Sequence, residues 1–331
     1  MTIDVHGHLS PPESLRRFPM PRSLGDAEAM IETKLAAGID LTVIGSPVGA
    51  GAMVPVPGVD NYAQTEEELA RFHDWLGELV ARYPHHLRAY VYVNPFGGDA
   101  HLAAVRARLE GGEFVGLIAN TSVAGRYLDH PDAADFFALA AETEVPVLLH
   151  APASPAAGTG LADLMTVEQL GRFADVTIGL ACCVLGGWLE RHPGLRLIGQ
   201  GAGGALALLA EKLDRAWSPE HWRRDGGPGP GPGPGTATPP LPRPPSSYLD
   251  RLWVDTATPS TAAVELALRV FGRDKVLYGT DSPPLPGASV DAGLRLVDGL
   301  DISETDRQAV REGNARALFG AGLPRPVPAG A

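Results

Sequence analysis

Met1-Thr-Ile-Asp-Val-His-Gly-His8 opens the chain. Residues 2–5 read as a short buried strand that delivers His6 and His8 at its end. Alternate side chains of an extended chain point the same way. Two imidazoles from one strand end can therefore converge on one point, as the ligands of a metal such as zinc must. His-x-His decides nothing by itself, because histidines this close are common without a metal. The reading depends on what else the chain brings to the same place.

Working outward, strand-like apolar runs recur at 41–45, 87–93, 114–119, 145–150, 195–200, 251–255 and 276–280. Amphipathic helical patterns separate them. One spans 26–37 and ends at Gly38; a second, capped by Asp60 or Asn61, runs to Arg82 and stops before Pro84. Others fall at 99–110, 131–143, 167–174, 180–191, 201–217, 261–271, 290–297 and 304–319. Alternating β and α elements imply a parallel sheet with right-handed crossovers. Eight such units predict an α/β fold of the (β/α)8 TIM barrel type over 1–331 as one domain. Residues 225–247 (DGGPGPGPGPGTATPPLPRPPSS) break the rhythm. They predict a mobile insertion on the N-terminal face of the barrel and not a linker, since neither flanking piece could close a core.

Composition narrows the function classes. The 331 residues are 44% hydrophobic, enough for a substantial core, with a formal net charge of −12. Phosphate binding needs concentrated Lys and Arg, so nucleic acid is not the expected partner. The start lacks a basic leader and an apolar h-region, and no run is long enough to span a membrane. A cytoplasmic protein acting on a small molecule is expected. The only cysteines, Cys182 and Cys183, are adjacent and offer no disulfide framework; small buried thiols in a helix are expected.

In a barrel of this type, reactive residues sit at the C-terminal ends of strands. The first strand ends in His6 and His8, the fifth in His150 and the eighth in Asp281. Three imidazoles and a carboxylate suit zinc first, with Mn, Fe or Co as alternatives. Asp255, ending the seventh strand, can hold an imidazole N–H from behind; Asn94 and Asn120 end strands and could line a pocket. His73, His85, His86, His101, His192 and His221 fall on helices and loops away from these ends and are expected at the surface.

At these residues the chain resembles the amidohydrolase-related branch of the amidohydrolase superfamily. The likeness is carried by Ile-Asp-Val-His-Gly-His, Leu-Leu-His150, Gly-Thr-Asp281-Ser-Pro, Tyr127-Leu-Asp-His-Pro, Leu189-Glu-Arg-His-Pro-Gly-Leu and Asn314-Ala-Arg-Ala-Leu-Phe-Gly. Within that branch it is most similar to the 2-amino-3-carboxymuconate-6-semialdehyde decarboxylase group, which includes the γ-resorcylate decarboxylases. The resemblance implies one divalent metal held by His6, His8, His150 and Asp281, and a homodimer. It also marks two departures. The sixth strand of the family usually ends in a histidine that moves protons, whereas this chain has Gln200-Gly-Ala-Gly-Gly, whose amide has no titratable proton near neutrality. The loop 46–60 lacks the arginine that relatives offer a substrate carboxylate.

Three readings follow. A non-oxidative decarboxylase would use Lewis-acid chemistry with Asp281 and Gln200 beside it. A hydrolase of an amide or lactone would use Asp281 as base. A catalytically inactive metal-binding or scaffold protein would keep the barrel alone.

Overall fold

The computed structural model describes residues 1–217 and 241–324. β1 (Ile3–His8), β2 (Leu41–Gly45), β3 (Leu87–Tyr92) and β4 (Phe114–Asn120) pair side by side. A small antiparallel ribbon of β5 (Ser122–Val123) and β6 (Arg126–Tyr127), unforeseen in the sequence, follows β4. The main sheet continues through β7 (Val147–His150), β8 (Leu197–Gly199), β9 (Leu252–Asp255) and β10 (Val276–Leu277). All neighbours in this eight-stranded sheet are parallel. At the seam, Val5 N donates to Tyr278 O at 3.0 Å and Asp281 N donates to His6 O at 2.9 Å. These two bonds join β1 to the segment around β10, so the sheet is the wall of a (β/α)8 barrel. The strands are buried along nearly their whole length, as strands covered by helices outside and filled by side chains inside must be.

Between strands lie α1 (Pro12–Arg17), α2 (Ala27–Ala36), α3 (Glu66–Arg82), α4 (Gly98–Leu109), α5 (Ala134–Thr143) and the single turn α6 (Leu164–Thr166). After them come α7 (Arg172–Leu185), α8 (Trp188–Arg191), α9 (Ala210–Trp217), α10 (Thr261–Val270), α11 (Gly287–Asp298), α12 (Glu304–Gln308) and α13 (Asn314–Phe319). Three boundaries differ from expectation for physical reasons. α3 starts at Glu66 because Thr65 and Glu68 form a capping box. Asn61 and Gln64 are instead committed to the loop after β2, where their side-chain oxygens accept from Ala52 N at 2.9 Å and Ala50 N at 2.8 Å. The stretches expected at 167–174 and 180–191 are not separate, since α7 crosses 175–179 unbroken, and the break falls instead at Gly186 and Gly187, which part α7 from α8. No α-helix forms at 201–204, because Gly201, Ala202, Gly203 and Gly204 all have positive φ; two 3-10 turns precede α9.

Of the Pro/Gly-rich stretch expected at 225–247, residues 225–240 lie outside the described residues, as does His221. His73 and His101 correct the sequence reading: both are buried. Their Nε2 atoms accept the backbone N–H of Tyr92 and of Asn94, each at 3.0 Å, and so finish the end of β3. A large apolar core fills the barrel and the helix layer. A smaller one, of Phe18, Met20, Leu24, Val48, Ala52, Met53 and Ala153, gathers loops that follow β1, β2 and β7 at the C-terminal mouth.

Candidate metal centre

The site begins with an irregularity in β1. Asp4 pairs with Thr42 but Gly7 pairs with Ile44, so β1 carries one extra residue against β2. Such a bulge re-aims side chains. Asp4 faces α2, where Lys34 Nζ donates to its carboxylate at 2.5 Å and Thr280 Oγ1 at 2.6 Å. The other oxygen of Asp4 accepts from His6 N at 2.9 Å and Thr280 N at 3.1 Å. A buried ion pair with all its donors in place therefore ties the bulge of β1 to the turn after β10. Beyond the bulge, His6 and His8 point to the barrel axis.

Each of the three imidazoles has its Nδ1 against an obligate acceptor. His6 Nδ1 lies 2.7 Å from Asp255 Oδ2, His8 Nδ1 3.1 Å from Gly45 O, and His150 Nδ1 2.7 Å from Ala151 O. An Nδ1–H must occupy each of these contacts, which turns the three Nε2 atoms toward one another. They do converge: His6 Nε2 and His8 Nε2 are 3.1 Å apart, and the rings stand nearly perpendicular at centroid distances of 4.8–5.1 Å. His150 Nε2 is buried and has no hydrogen-bond partner among the described residues.

Asp281 completes the group. It follows β10 in the left-handed region, with φ of 54°, which aspartate tolerates better than most residues. Its Oδ1 is 2.9 Å from His8 Nε2 and 3.6 Å from His6 Nε2. Close approach of this turn needs Gly279, where a Cβ would sit 2.9 Å from Asp255 Cβ and 3.1 Å from His6 Cβ. One donor atom from each of His6, His8, His150 and Asp281 lies within 4.8 Å of the others. An unpartnered buried Nε2 beside two more lone pairs and a carboxylate oxygen is a donor set that a cation satisfies and the chain alone does not.

Gln200 stands beside this group. Its Oε1 accepts from Ala151 N at 3.0 Å, and its Nε2 donates to Asp281 Oδ2 at 3.4 Å. The amide is thus oriented, with the NH2 end toward the carboxylate. Asp255 serves both sides of the turn, since its Oδ1 accepts from Gly201 N at 2.7 Å and Ala257 N at 3.0 Å. Burial works against the charge on His6, but Asp255 and Asp281 outweigh it and raise the pKa to about 9. Burial lowers those of His8 and His150. Burial would lift the Asp281 carboxyl, yet the three imidazoles hold it below the usual carboxylate range.

The asparagines sit farther back. Asn120 Nδ2 donates to His150 O at 3.4 Å while its Oδ1 accepts from Tyr62 OH at 3.1 Å. Asn94 accepts from its own turn, at Phe96 N, and borders a separate cavity of about 100 Å³ near Tyr62 and His101. Two groups escaped the sequence reading. Asp175, on α7, is buried and accepts from Thr121 Oγ1 at 2.5 Å, Ser122 Oγ at 2.9 Å, Tyr127 OH at 3.2 Å and Ala157 N at 3.2 Å. Thr121 N in turn donates to His150 O at 3.0 Å. Arg172 Nη2 donates to Met53 O at 2.8 Å, so a guanidinium does reach the loop that lacks its own. Nothing in local spacing pairs residues 53 and 172.

Comparison with known proteins agrees with this fold. A 2-keto-4-carboxy-3-hexenedioate hydratase from Sphingobium sp. strain SYK-6 is 25% identical over 300 residues, covering 85% of this chain and 79% of that protein. Dihydroxybenzoic acid decarboxylase from Polaromonas sp. JS666, solved with manganese and 2-nitroresorcinol, shares the fold with a TM-score of 0.74 at 20% identity, covering 96% of each chain. The 5-carboxyvanillate decarboxylase of Sphingomonas paucimobilis does so with a TM-score of 0.74 at 18% identity, covering 96% of this chain and 98% of that one. Residues 3–321, which take in the strand ends that carry His6, His8, His150 and Asp281, match the amidohydrolase family model, and the chain belongs to that family.

Proposed function

We propose that this enzyme is a divalent-metal-dependent lyase that removes carbon dioxide from a small hydroxylated carboxylic acid without oxidation. The observation that carries the reading is the convergence of His6, His8, His150 and Asp281 within 4.8 Å at the strand ends, with an ionised Asp281 whose Oδ2 faces the Gln200 amide. His6, His8, His150 and Asp281 Oδ1 would hold the metal. When bound, a divalent cation supplies Lewis acidity toward substrate oxygens. Manganese, named for one neighbour, and zinc both suit three imidazoles and a carboxylate.

The chain's own groups divide the remaining work. Asp281 Oδ2 takes the proton of a substrate hydroxyl on binding and returns it to the ring carbon as the carbon–carbon bond breaks. Carbon dioxide leaves, and the bonding pair remains on that carbon to form the new C–H bond. Gln200 cannot relay a proton; its NH2 keeps Asp281 aimed and ionised at rest. The apolar cluster of Phe18, Met20, Val48 and Met53 excludes water from the mouth. Arg172 is the cation beside it.

A second reading, water addition to a double bond or hydrolysis of an amide or lactone, draws on the same ionised Asp281 as base. The hydratase relative supports it. The discriminating experiment uses metal-loaded protein in D2O. Dihydroxybenzoates should release CO2, and the decarboxylated phenol should exchange one ring hydrogen for deuterium, both abolished in Asp281→Asn. Inertness toward hydroxybenzoates, with loss of conjugated absorbance from an unsaturated keto acid, would replace the first reading by the second. Inertness toward both classes would defeat the two together.

A further inference from the structure

We propose that the Asp4 carboxylate and the Thr280 hydroxyl form a clamp that sets the separation of the first and last metal ligands, His6 and Asp281, and through it the affinity and geometry of the bound ion. The proposal rests on the metal reading above and adds two positioning residues to it. His6 and Asp281 come from opposite ends of the chain and meet across the seam of the barrel. The ladder there is thin: β10 has two residues, Val5 N donates to Tyr278 O, and Asp281 N donates to His6 O. One carboxylate oxygen spans the gap. Asp4 Oδ1 accepts from His6 N at 2.9 Å on its own strand and from Thr280 N at 3.1 Å on the far side. Asp4 Oδ2 accepts from Thr280 Oγ1 at 2.6 Å, and that hydroxyl in turn accepts from Ser282 N at 3.1 Å.

The backbone N–H groups of residues 280, 281 and 282 are thus all taken, by Asp4, by His6 O and by the hydroxyl that Asp4 holds. They bracket Asp281, whose φ is 54°. A residue other than glycine persists in that region where its surroundings over-determine it, and here Asp4 and Thr280 supply the constraint. Both are buried, as is Lys34, which brings the counter-charge from α2. Space is closed as well as charge. A Cβ at Gly7, between the two histidines, would lie 3.2 Å from Lys34 Nζ and 3.3 Å from Ser282 O. The strand end is therefore packed against the same lysine and the same turn. Metal–ligand distances tolerate only about 0.2 Å, so a turn loosened at Asp281 weakens binding even where the barrel survives.

Calorimetric titration of the chelator-stripped full chain with Mn²⁺, together with the visible absorption bands of the Co²⁺-loaded protein, tests the clamp. Thr280→Val keeps the size of the side chain and removes its hydroxyl; Thr280→Ala does the same work where the valine variant fails to fold. Thr280→Ser keeps the hydroxyl. Leu139→Ala, a buried truncation on α5, controls for loss of stability alone. The hydroxyl-free variants should bind Mn²⁺ about 10- to 100-fold more weakly than the wild type, with altered Co²⁺ bands. Thr280→Ser should show wild-type bands and an affinity within about threefold of the wild type, a small part of the span that such orienting groups control. Leu139→Ala should melt at a lower temperature with affinity and bands unchanged. Hydroxyl-free variants with wild-type affinity and bands would overturn the clamp and leave the metal reading standing. So would a Thr280→Ser variant as weak as Thr280→Val, or a Leu139→Ala variant that loses as much affinity. A wild type that binds neither ion would overturn the clamp and the metal reading together.

Discussion

Metal binding to this protein should expel a proton from His6, and the structure sets how strongly. Without metal, His6 carries a pKa of about 9, because Asp255 and Asp281 outweigh the effect of burial. Its Nδ1 hydrogen is committed to Asp255, so the second hydrogen sits on Nε2, facing His8 Nε2 at 3.1 Å. That hydrogen occupies the direction from which a cation must be bound. Ligation requires it to leave. At pH 7, below that pKa, the proton must be removed against the field of the two carboxylates, and apparent affinity should be weaker than its high-pH limit by about two orders of magnitude. Affinity should therefore climb tenfold per pH unit from 7 and level off above about 9. His8 and His150 have lowered pKa values and add no such proton in this range.

The assay is calorimetric titration of chelator-stripped protein with Mn²⁺ at several pH values, each in two buffers of different ionisation enthalpy. Near pH 7.5 almost one proton should appear per metal bound. Asp255→Asn separates His6 from any proton lost by solvent at the metal. It removes the largest influence raising the His6 pKa, so release from His6 should fall sharply while release from solvent would persist. An affinity flat from pH 7 to 8.5 with no proton release in the wild type would refute the reasoning. The metal-free protein should show the matching trend. A raised pKa contributes stability that is complete below the unfolded value of 6.5 and is lost as pH rises through about 9.

Three further outcomes follow from buried polar groups. Lys34→Met leaves Asp4 buried without its counter-charge and should destabilise the fold by about 3–5 kcal/mol in urea titrations, with Asp4→Asn restoring part of the loss. Asp175→Asn weakens the grip on Thr121 behind His150 and should lower metal affinity by about tenfold, measured by competition with a chromophoric chelator. His73 is held down to about 3, chiefly by burial and then by Arg108. Its contribution is complete above pH 6.5 and falls by about 1.4 kcal/mol per unit toward pH 3; His73→Gln, which can still accept from Tyr92 N, should flatten the acid limb of stability against pH.

The barrel was legible because its signals are local. Eight apolar runs separated by helical periodicity can be read one window at a time, and each strand end announces its last polar residue. His6, His8, His150 and Asp281 were accessible for that reason: once strands are assumed parallel, their C-terminal residues share one face. The bulge in β1 was not legible, since a single extra residue alters no composition. Lys34 carries no local signal of burial, because its partner, Asp4, lies 30 positions away. Asp175 and Arg172 were hidden in the same way, and so were His73 and His101. A helix position predicts exposure only until a loose strand end, such as Tyr92 N or Asn94 N, supplies it with a donor.

Gln200 shows why the sequence and the structure give different weight to one substitution. Read as a letter, glutamine in place of histidine subtracts a titratable proton and suggests lost chemistry. In the structure the residue has two fixed duties, accepting from Ala151 N and donating to Asp281 Oδ2. A neutral imidazole could perform both, with its bare nitrogen toward Ala151 and its N–H toward Asp281. Protonating that bare nitrogen would forfeit the Ala151 bond, so a histidine held this way would resist serving as an acid. The amide reproduces the one tautomer the surroundings accept, and it does so at every pH. In the mechanism proposed above, proton transfer falls to Asp281, whose Oδ2 accepts from the Gln200 amide. Under the proposed function, the glutamine would thus move the acid–base role within the site and not remove it.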